Sequence, residues 1–295
     1  MADTPKVNVL YMASEADPLI KVGGLGDVAG SLPRALQEVE AASILGSSID
    51  ARLVIPLHPG IRKDIYPSRQ AAEFAIHYKG GYVWARAYSL NLTGLVVYLI
   101  GGAPIEQASG VYSADLEADS FKYVFFSLAA LELARRLAWR PDVLHANDWH
   151  TAAAVYSLAL NRPGDLFFRH TASLLTIHNL PYLGAMTGPA LEAFDLPAAE
   201  TTSLPAWAGH MALPLGLLAA DRVVAVSPGY SREIMTDEFG SGLQAFLRAQ
   251  AGKVTGILNG LNTVKWDPST DVELAASFSI TNLSARAVNK AFLQR

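Results

Sequence analysis

The sequence predicts an α/β fold in which a parallel sheet is covered by helices on both faces. Three observations carry that prediction. Short apolar runs of strand length alternate with helix-forming stretches along the chain, the pattern of strand–helix–strand units. Those runs are apolar on both sides, as strands buried on two faces are. Hydrophobic residues make up 51% of the 295 and charged residues 17%, which supplies a large core and argues against disorder.

The elements follow in order. Residues 7–12 are the first strand and 27–38, carrying Pro33, the first helix. Residues 51–57, 82–88 and 95–100 read as strands rich in Val, Ile, Leu and aromatics. The stretch 119–138, dense in Phe, Leu and Ala, reads as a strongly amphipathic helix. A short strand at 143–145 precedes a helix over 151–159. A strand at 173–178, a helix at 213–220, a strand at 222–227 and a last short strand at 256–260 complete the pattern. Residues 101–113 and 181–208 are the longest irregular stretches and are candidate binding or lid loops.

Bulk properties exclude several functions. Net charge is -4 and no basic stripe runs along the chain, so nucleic acid is a poor partner. Cysteine is absent, which removes disulfides and thiol chemistry. The seven histidines show no metal-ligand spacing, so no metal or other cofactor is expected. No apolar run reaches membrane-spanning length and residues 1–6 show no targeting lead. A cytoplasmic location and no membrane partner are expected.

Residues 21–30, Lys-Val-Gly-Gly-Leu-Gly-Asp-Val-Ala-Gly, lie between the first strand and the first helix. Gly23 and Gly24 let backbone N–H groups approach an anion, and Lys21 adds a positive charge. A phosphate cradle and a plain tight turn both fit. The lysine precedes the glycines, which excludes a Walker A loop, and the glycine spacing is a poor dinucleotide fingerprint.

Ligands of open α/β sheets bind beyond the carboxyl ends of the strands. Five strand ends here are polar: Ser14-Glu15, Asn147-Asp148-Trp149-His150, His178-Asn179, Ser227-Pro228 and Asn259-Gly260. Each has an ordinary use. His145 reads as a packed core histidine. Asp148 or Thr151 caps the helix that follows, and a cap at Thr151 frees Asp148 for a ligand. His150 packs on Trp149. Ser227-Pro228 reads as a helix start and Asn259-Gly260 as a turn. His178, ending a buried strand before a long loop, is the strongest functional candidate.

Taken in order, these segments resemble the bacterial glycogen synthase and plant starch synthase family. The matching stretches are Ala13-Ser14-Glu15-Ala16 with the Lys21 loop, His145 to Thr151, Thr176 to Leu180, Asp221 to Ile234 and Gly256 to Gly260. The resemblance implies a GT-B architecture of two Rossmann-like domains facing a cleft. This chain corresponds to the N-terminal half. Residues 1–272 would form the catalytic domain and 273–295 the start of the inter-domain linker, with the second domain absent.

It also implies a retaining transfer of glucose from ADP-glucose to the non-reducing end of an α-1,4-glucan, glycogen or starch. Lys21, Gly23 and Gly24 would meet the donor's phosphates, His178 the transferred glucose, and Asp148 the same sugar or the acceptor. Glu15, Trp149, His150, Asn179 and Tyr182 are further candidate sugar or acceptor contacts. No metal is implied. Pro181 and Leu183 depart from the residues many members carry. The partner would be the C-terminal Rossmann domain, without which the chain should transfer weakly or not at all. A different GT-B sugar-nucleotide transferase and a truncated glucan-binding module are the alternatives.

Overall fold

The computed structural model describes residues 5–201 and 203–295. The chain forms one compact unit that ends at Leu258 and a second, Asn259–Arg295. The boundary expected after residue 272 falls inside the second unit. In the first unit the elements run β1 (Lys6–Met12), α1 (Gly24–Gln37), β2 (Ser48–Pro56), β3 (Arg69–Tyr78), β4 (Gly81–Leu92), β5 (Leu95–Gly101), α2 (Ala103–Glu106), α3 (Leu116–Arg136), β6 (Val143–Asn147) and α4 (Trp149–Asn161). They continue with β7 (Ala172–Ile177), α5 (Thr187–Ala193), α6 (Ala212–Ala219), β8 (Arg222–Ala225), α7 (Pro228–Glu233), α8 (Gln244–Ala249) and β9 (Val254–Gly256). The second unit holds α9 (Arg286–Leu293), and the Asn289 side chain bonds both the N–H and the C=O of Ala276.

Among the described residues, nine strands form one sheet in the order β3-β4-β5-β2-β1-β6-β7-β8-β9. From β5 to β9 every pairing is parallel. The β3–β4 and β4–β5 pairings are antiparallel. The sheet is therefore a parallel Rossmann-like core extended at one edge by a hairpin. β3 was absent from the sequence expectation. Its buried Phe74 and Ile76 alternate with exposed Glu73, half-buried Ala75 and exposed His77, the pattern of a half-covered edge strand, where the fully apolar runs of the core strands are missing. The last strand lies at 254–256 instead of 256–260, and Ile257 and Leu258 beyond it are exposed.

Alternate residues of the central strands feed two cores. Leu10 and Met12 of β1, Val54 of β2 and Ile100 of β5 join α3, α4 and α6 in the larger one. Tyr11 and Ala13, Leu53 and Ile55, and Val97 and Leu99 join Leu25 and Ala29 of α1 in the smaller. This period of two places one core on each face of the sheet. α3 is not the strongly amphipathic helix its composition suggests. It packs against α2, α4 and α5 as well as the sheet, so even Asp119, Ser120 and Lys122 are buried. Asp115 caps it by accepting from Ala118 N–H at 3.0 Å.

Both irregular stretches contain a helix, α2 in one and α5 in the other. The strand order reverses between β1, whose successor β2 lies on one side, and β6 on the other. In open α/β sheets, ligands bind beyond the carboxyl ends of the strands at such a switch point, here the ends of β1 and β6.

Candidate active site

The site is built where β1, β6 and β7 end. Asn147 closes β6 and is fully buried. Its side-chain amide donates to Met12 C=O at 2.8 Å. Its Oδ1 therefore faces two donors, the Tyr11 hydroxyl at 3.3 Å and His178 Nε2 at 2.9 Å. That pattern puts the imidazole proton on Nε2 and leaves Nδ1 as an acceptor. Burial lowers the His178 pKa to about 4, so the ring is neutral near pH 7.

Asp148 follows with φ 54° and ψ -171°, a conformation that L side chains avoid and that costs about 1–3 kcal/mol. It occupies the N-cap position of α4 without a side-chain cap. Its Oδ1 instead crosses to the end of β7 and accepts from the N–H groups of His178 at 2.7 Å and Asn179 at 3.3 Å. Burial raises its pKa to about 7, against the lowering effect of those two bonds. Thr151 does not cap the helix either. Its hydroxyl donates to Asn147 C=O and accepts from Asn147 N–H. On the other side, the Tyr230 hydroxyl accepts from Leu180 N–H at 2.8 Å, and Ser227 caps α7 through Tyr230 N–H. The turn after β7 is thus clamped from β6 and from β8.

The loop after β1 is organised around a carboxylate. Glu15 is 1% exposed and accepts from Val22 N–H, from Gly23 N–H at 3.1 Å and from the Tyr112 hydroxyl at 2.9 Å. Tyr112 also pairs with the Ser14 hydroxyl at 2.8 Å. Lys21 Nζ lies 2.6 Å from Asp27. Gly24 borders open space, whereas a Cβ at Gly26 would lie 2.9 Å from the Lys21 stem and 3.1 Å from the Glu15 carboxylate. A Cβ at Gly30 would lie 2.2 Å from Asp17 C=O, so the glycines that close packing requires in this segment are Gly26 and Gly30, both within α1.

Tyr112 is delivered by a buried ion pair. Lys122 Nζ meets Asp119 at 2.6 Å and the carbonyls of Val111 at 2.8 Å and Gly110 at 3.2 Å. Asp119 in turn accepts from Ser113 N–H at 2.8 Å. Asp119→Ala would leave the buried ammonium without its carboxylate, so unfolding free energy is expected to drop by about 3–5 kcal/mol. Denaturant titration of that variant checks this; a drop under about 1 kcal/mol would contradict it.

The remaining candidates separate by exposure. Asn179 and Tyr182 face solvent, Trp149 is half-buried, and Glu15 and His150 are buried. The His150 ring lies 4.2 Å from Trp149 and 4.6 Å from Tyr123, centroid to centroid. Nδ1 of His150 and of nearby His58 has no hydrogen-bond partner. His145 is the packed core histidine its position suggested, bonded to Thr176 at 2.8 Å with Tyr11 edge-on at 4.5 Å. Asn147, Tyr11 and Tyr112 were outside the candidate set. Asn147 stands in the polar strand end already noted, but its bonds to Tyr11 and His178 span 136 and 31 residues, and no local pattern encodes them. Among the described residues, no group of three or more His, Asp or Glu could hold a metal ion, and no helix is long and apolar enough to cross a membrane.

The sequence matches the starch synthase catalytic domain over residues 8–249. It is 36% identical over 303 residues to the glycogen synthase of Yersinia pestis (strain Pestoides F), covering 98% of this chain and 59% of that protein. It is 34% identical over 301 residues to the glycogen synthase of Desulforudis audaxviator, covering 100% of this chain and again 59% of the relative. The fold is similar to the catalytic domain of starch synthase IV from Arabidopsis thaliana bound to ADP and acarbose, with a TM-score of 0.77, 27% identity, and coverage of 98% of this chain and 58% of that one. This chain therefore spans less than two thirds of the relatives it matches. Together with the parallel sheet and its switch-point site, these matches show that the chain belongs to the starch synthase catalytic domain family.

Proposed function

We propose that this chain is the acceptor-side half of a retaining glucosyltransferase that moves glucose from ADP-glucose to the non-reducing end of an α-1,4-glucan. What carries the reading is the joint placement, at one switch point, of the Lys21 loop and the clamped His178 turn. The bond between glucose C1 and the phosphate oxygen breaks, and C1 bonds to O4 of the glucan on the same face. The O4 proton passes to the departing diphosphate. Negative charge grows on the leaving group, where Lys21 supplies a cation. Neutral His178 presents its Nδ1 acceptor and its backbone to the sugar. Asp148 holds that backbone in place, with Asn147 and Tyr11 fixing the ring. Trp149, Asn179 and Tyr182 border the path of the glucan.

A second Rossmann-like domain is the proposed partner, since a dry cleft needs groups from both walls. No metal takes part, and the reading includes a cytoplasmic location. The test is incorporation of labelled glucose from ADP-glucose into glycogen, by this chain alone and by this chain joined to the C-terminal domain of a matched relative. The chain alone should transfer little and the joined form readily. In the joined form, Lys21→Ala should raise the KM for ADP-glucose about 10-fold. His178→Ala should lower kcat about 100-fold with a smaller change in KM. A joined form that folds but transfers nothing would sink the proposal.

A further inference from the structure

The glycine loop already contains an anion. Val22 and Gly23 present the N–H groups that a phosphate cradle would use, and both point at the Glu15 carboxylate. That carboxylate is 1% exposed and takes a third bond from Tyr112. The loop wraps it closely, because the Lys21 stem and Glu15 together fill the space beside Gly26. We propose that Glu15 is a positioning residue, an internal anion that shapes the Lys21 loop for the donor's diphosphate and ties it to the Tyr112 loop. The inference rests on the donor reading given above.

Three consequences follow from the geometry. Incoming phosphate cannot use the Val22 and Gly23 donors without evicting Glu15. It must approach from the Lys21 head, which pairs with Asp27, and the open side of Gly24, where nothing beyond its chain neighbours and its own helix lies within 4 Å of a Cβ position. The loop's shape also depends on a distant device. Lys122 and Asp119 pin residues 110–113, which puts the Tyr112 hydroxyl between Ser14 and Glu15. Finally, an amide in place of the carboxylate removes the charge from the bonds to Val22 and Gly23 and puts a donor where Oε1 accepts from the Tyr112 hydroxyl, so Glu15→Gln weakens the wrap despite its matching shape.

The experiment uses the 295-residue chain and two readouts. In amide hydrogen exchange, Val22 and Gly23 of Glu15→Gln should exchange at least ~10-fold faster than in the wild type, with the amides of β1 unchanged. Tyr112→Phe should act in the same direction by about 2- to 5-fold, and it carries the test if Glu15→Gln does not fold. In NMR titration with ADP-glucose, the wild-type shifts should centre on Lys21 and Gly24, and Glu15→Gln should raise the dissociation constant about 10-fold. Unchanged exchange at Val22 and Gly23 would overturn the internal-anion role. Faster exchange with an unchanged dissociation constant would overturn the link to the donor. If ADP-glucose shifts no amide of the wild-type loop, the donor reading and the link to it both fall, and exchange alone decides whether Glu15 shapes the loop.

Discussion

Lowering the pH from 7 to 5 should destabilise this fold by several kcal/mol. Three buried histidines and the half-buried His178 are responsible. Burial is the first cause in each case and lowers the pKa to about 4 in His58, about 3 in His145 and about 4 in His178, and well below its usual value in His150. The unfolded chain takes up these protons near pH 6.5 and the folded chain resists until much lower pH. Below pH 6.5 the unfolded state therefore binds more protons, and stability falls with the pH. At pH 5 His58, His145 and His178 each contribute about 2 kcal/mol of this loss, and His150 acts in the same direction. Asp148 acts in the opposite sense. Its folded pKa is raised to about 7, so folding favours its protonated form, and acidification returns about 2 kcal/mol. The histidines outweigh the single carboxylate. The remainder is a large share of a typical domain's 5–15 kcal/mol. Denaturant titrations at pH 7 and pH 5 measure the difference directly, and equal or greater stability at pH 5 would refute the account.

Asp148→Asn should stabilise the fold at pH 8 and damage transfer. At that pH the wild type holds an ionised carboxylate in a buried place. Raising its pKa from 3.8 to about 7 corresponds to a cost of up to about 4 kcal/mol. An asparagine keeps an oxygen for the His178 and Asn179 N–H groups, tolerates positive φ better than most residues, and carries no charge. Asp148→Ala removes the acceptor altogether and should be about 1–3 kcal/mol less stable than Asp148→Asn. In the transfer assay on the joined form, Asp148→Asn keeps the turn but removes the carboxylate charge that would oppose the positive charge growing at glucose C1, so it should lower kcat about 100-fold. Stability gained as activity is lost is the mark of a residue strained and buried for function. A less stable Asp148→Asn at pH 8, or one with unaltered kcat, would contradict this role.

The legible part of the molecule lies in its local patterns. The apolar runs at β1, β2 and β5 to β8 announce buried parallel strands because each is long enough and apolar enough to need covering on both faces. Their polar ends mark the binding edge. The Lys21 loop, Asp148 and His178 are visible because strand ends and glycine clusters are local features. The half-covered edge strand β3 is much less so. Its alternating residues resemble an amphipathic loop until β4 pairs with them. The long helix α3 misleads for the opposite reason, since its polar Asp119 and Lys122 neutralise one another inside the core.

The amino-acid order alone, then, accounts for the fold class, the family and the edge of the sheet where the chemistry belongs, since each is written in stretches of a few residues. Which groups those side chains engage is settled in three dimensions. Glu15, read as a sugar contact, turns inward to its own loop. Asp148, read as a cap or a ligand to sugar, reaches across to β7. Asn147 becomes the hub joining β1, β6 and β7. A hydrogen bond depends on distance and direction, and residues more than a hundred positions apart acquire these only when the sheet has formed.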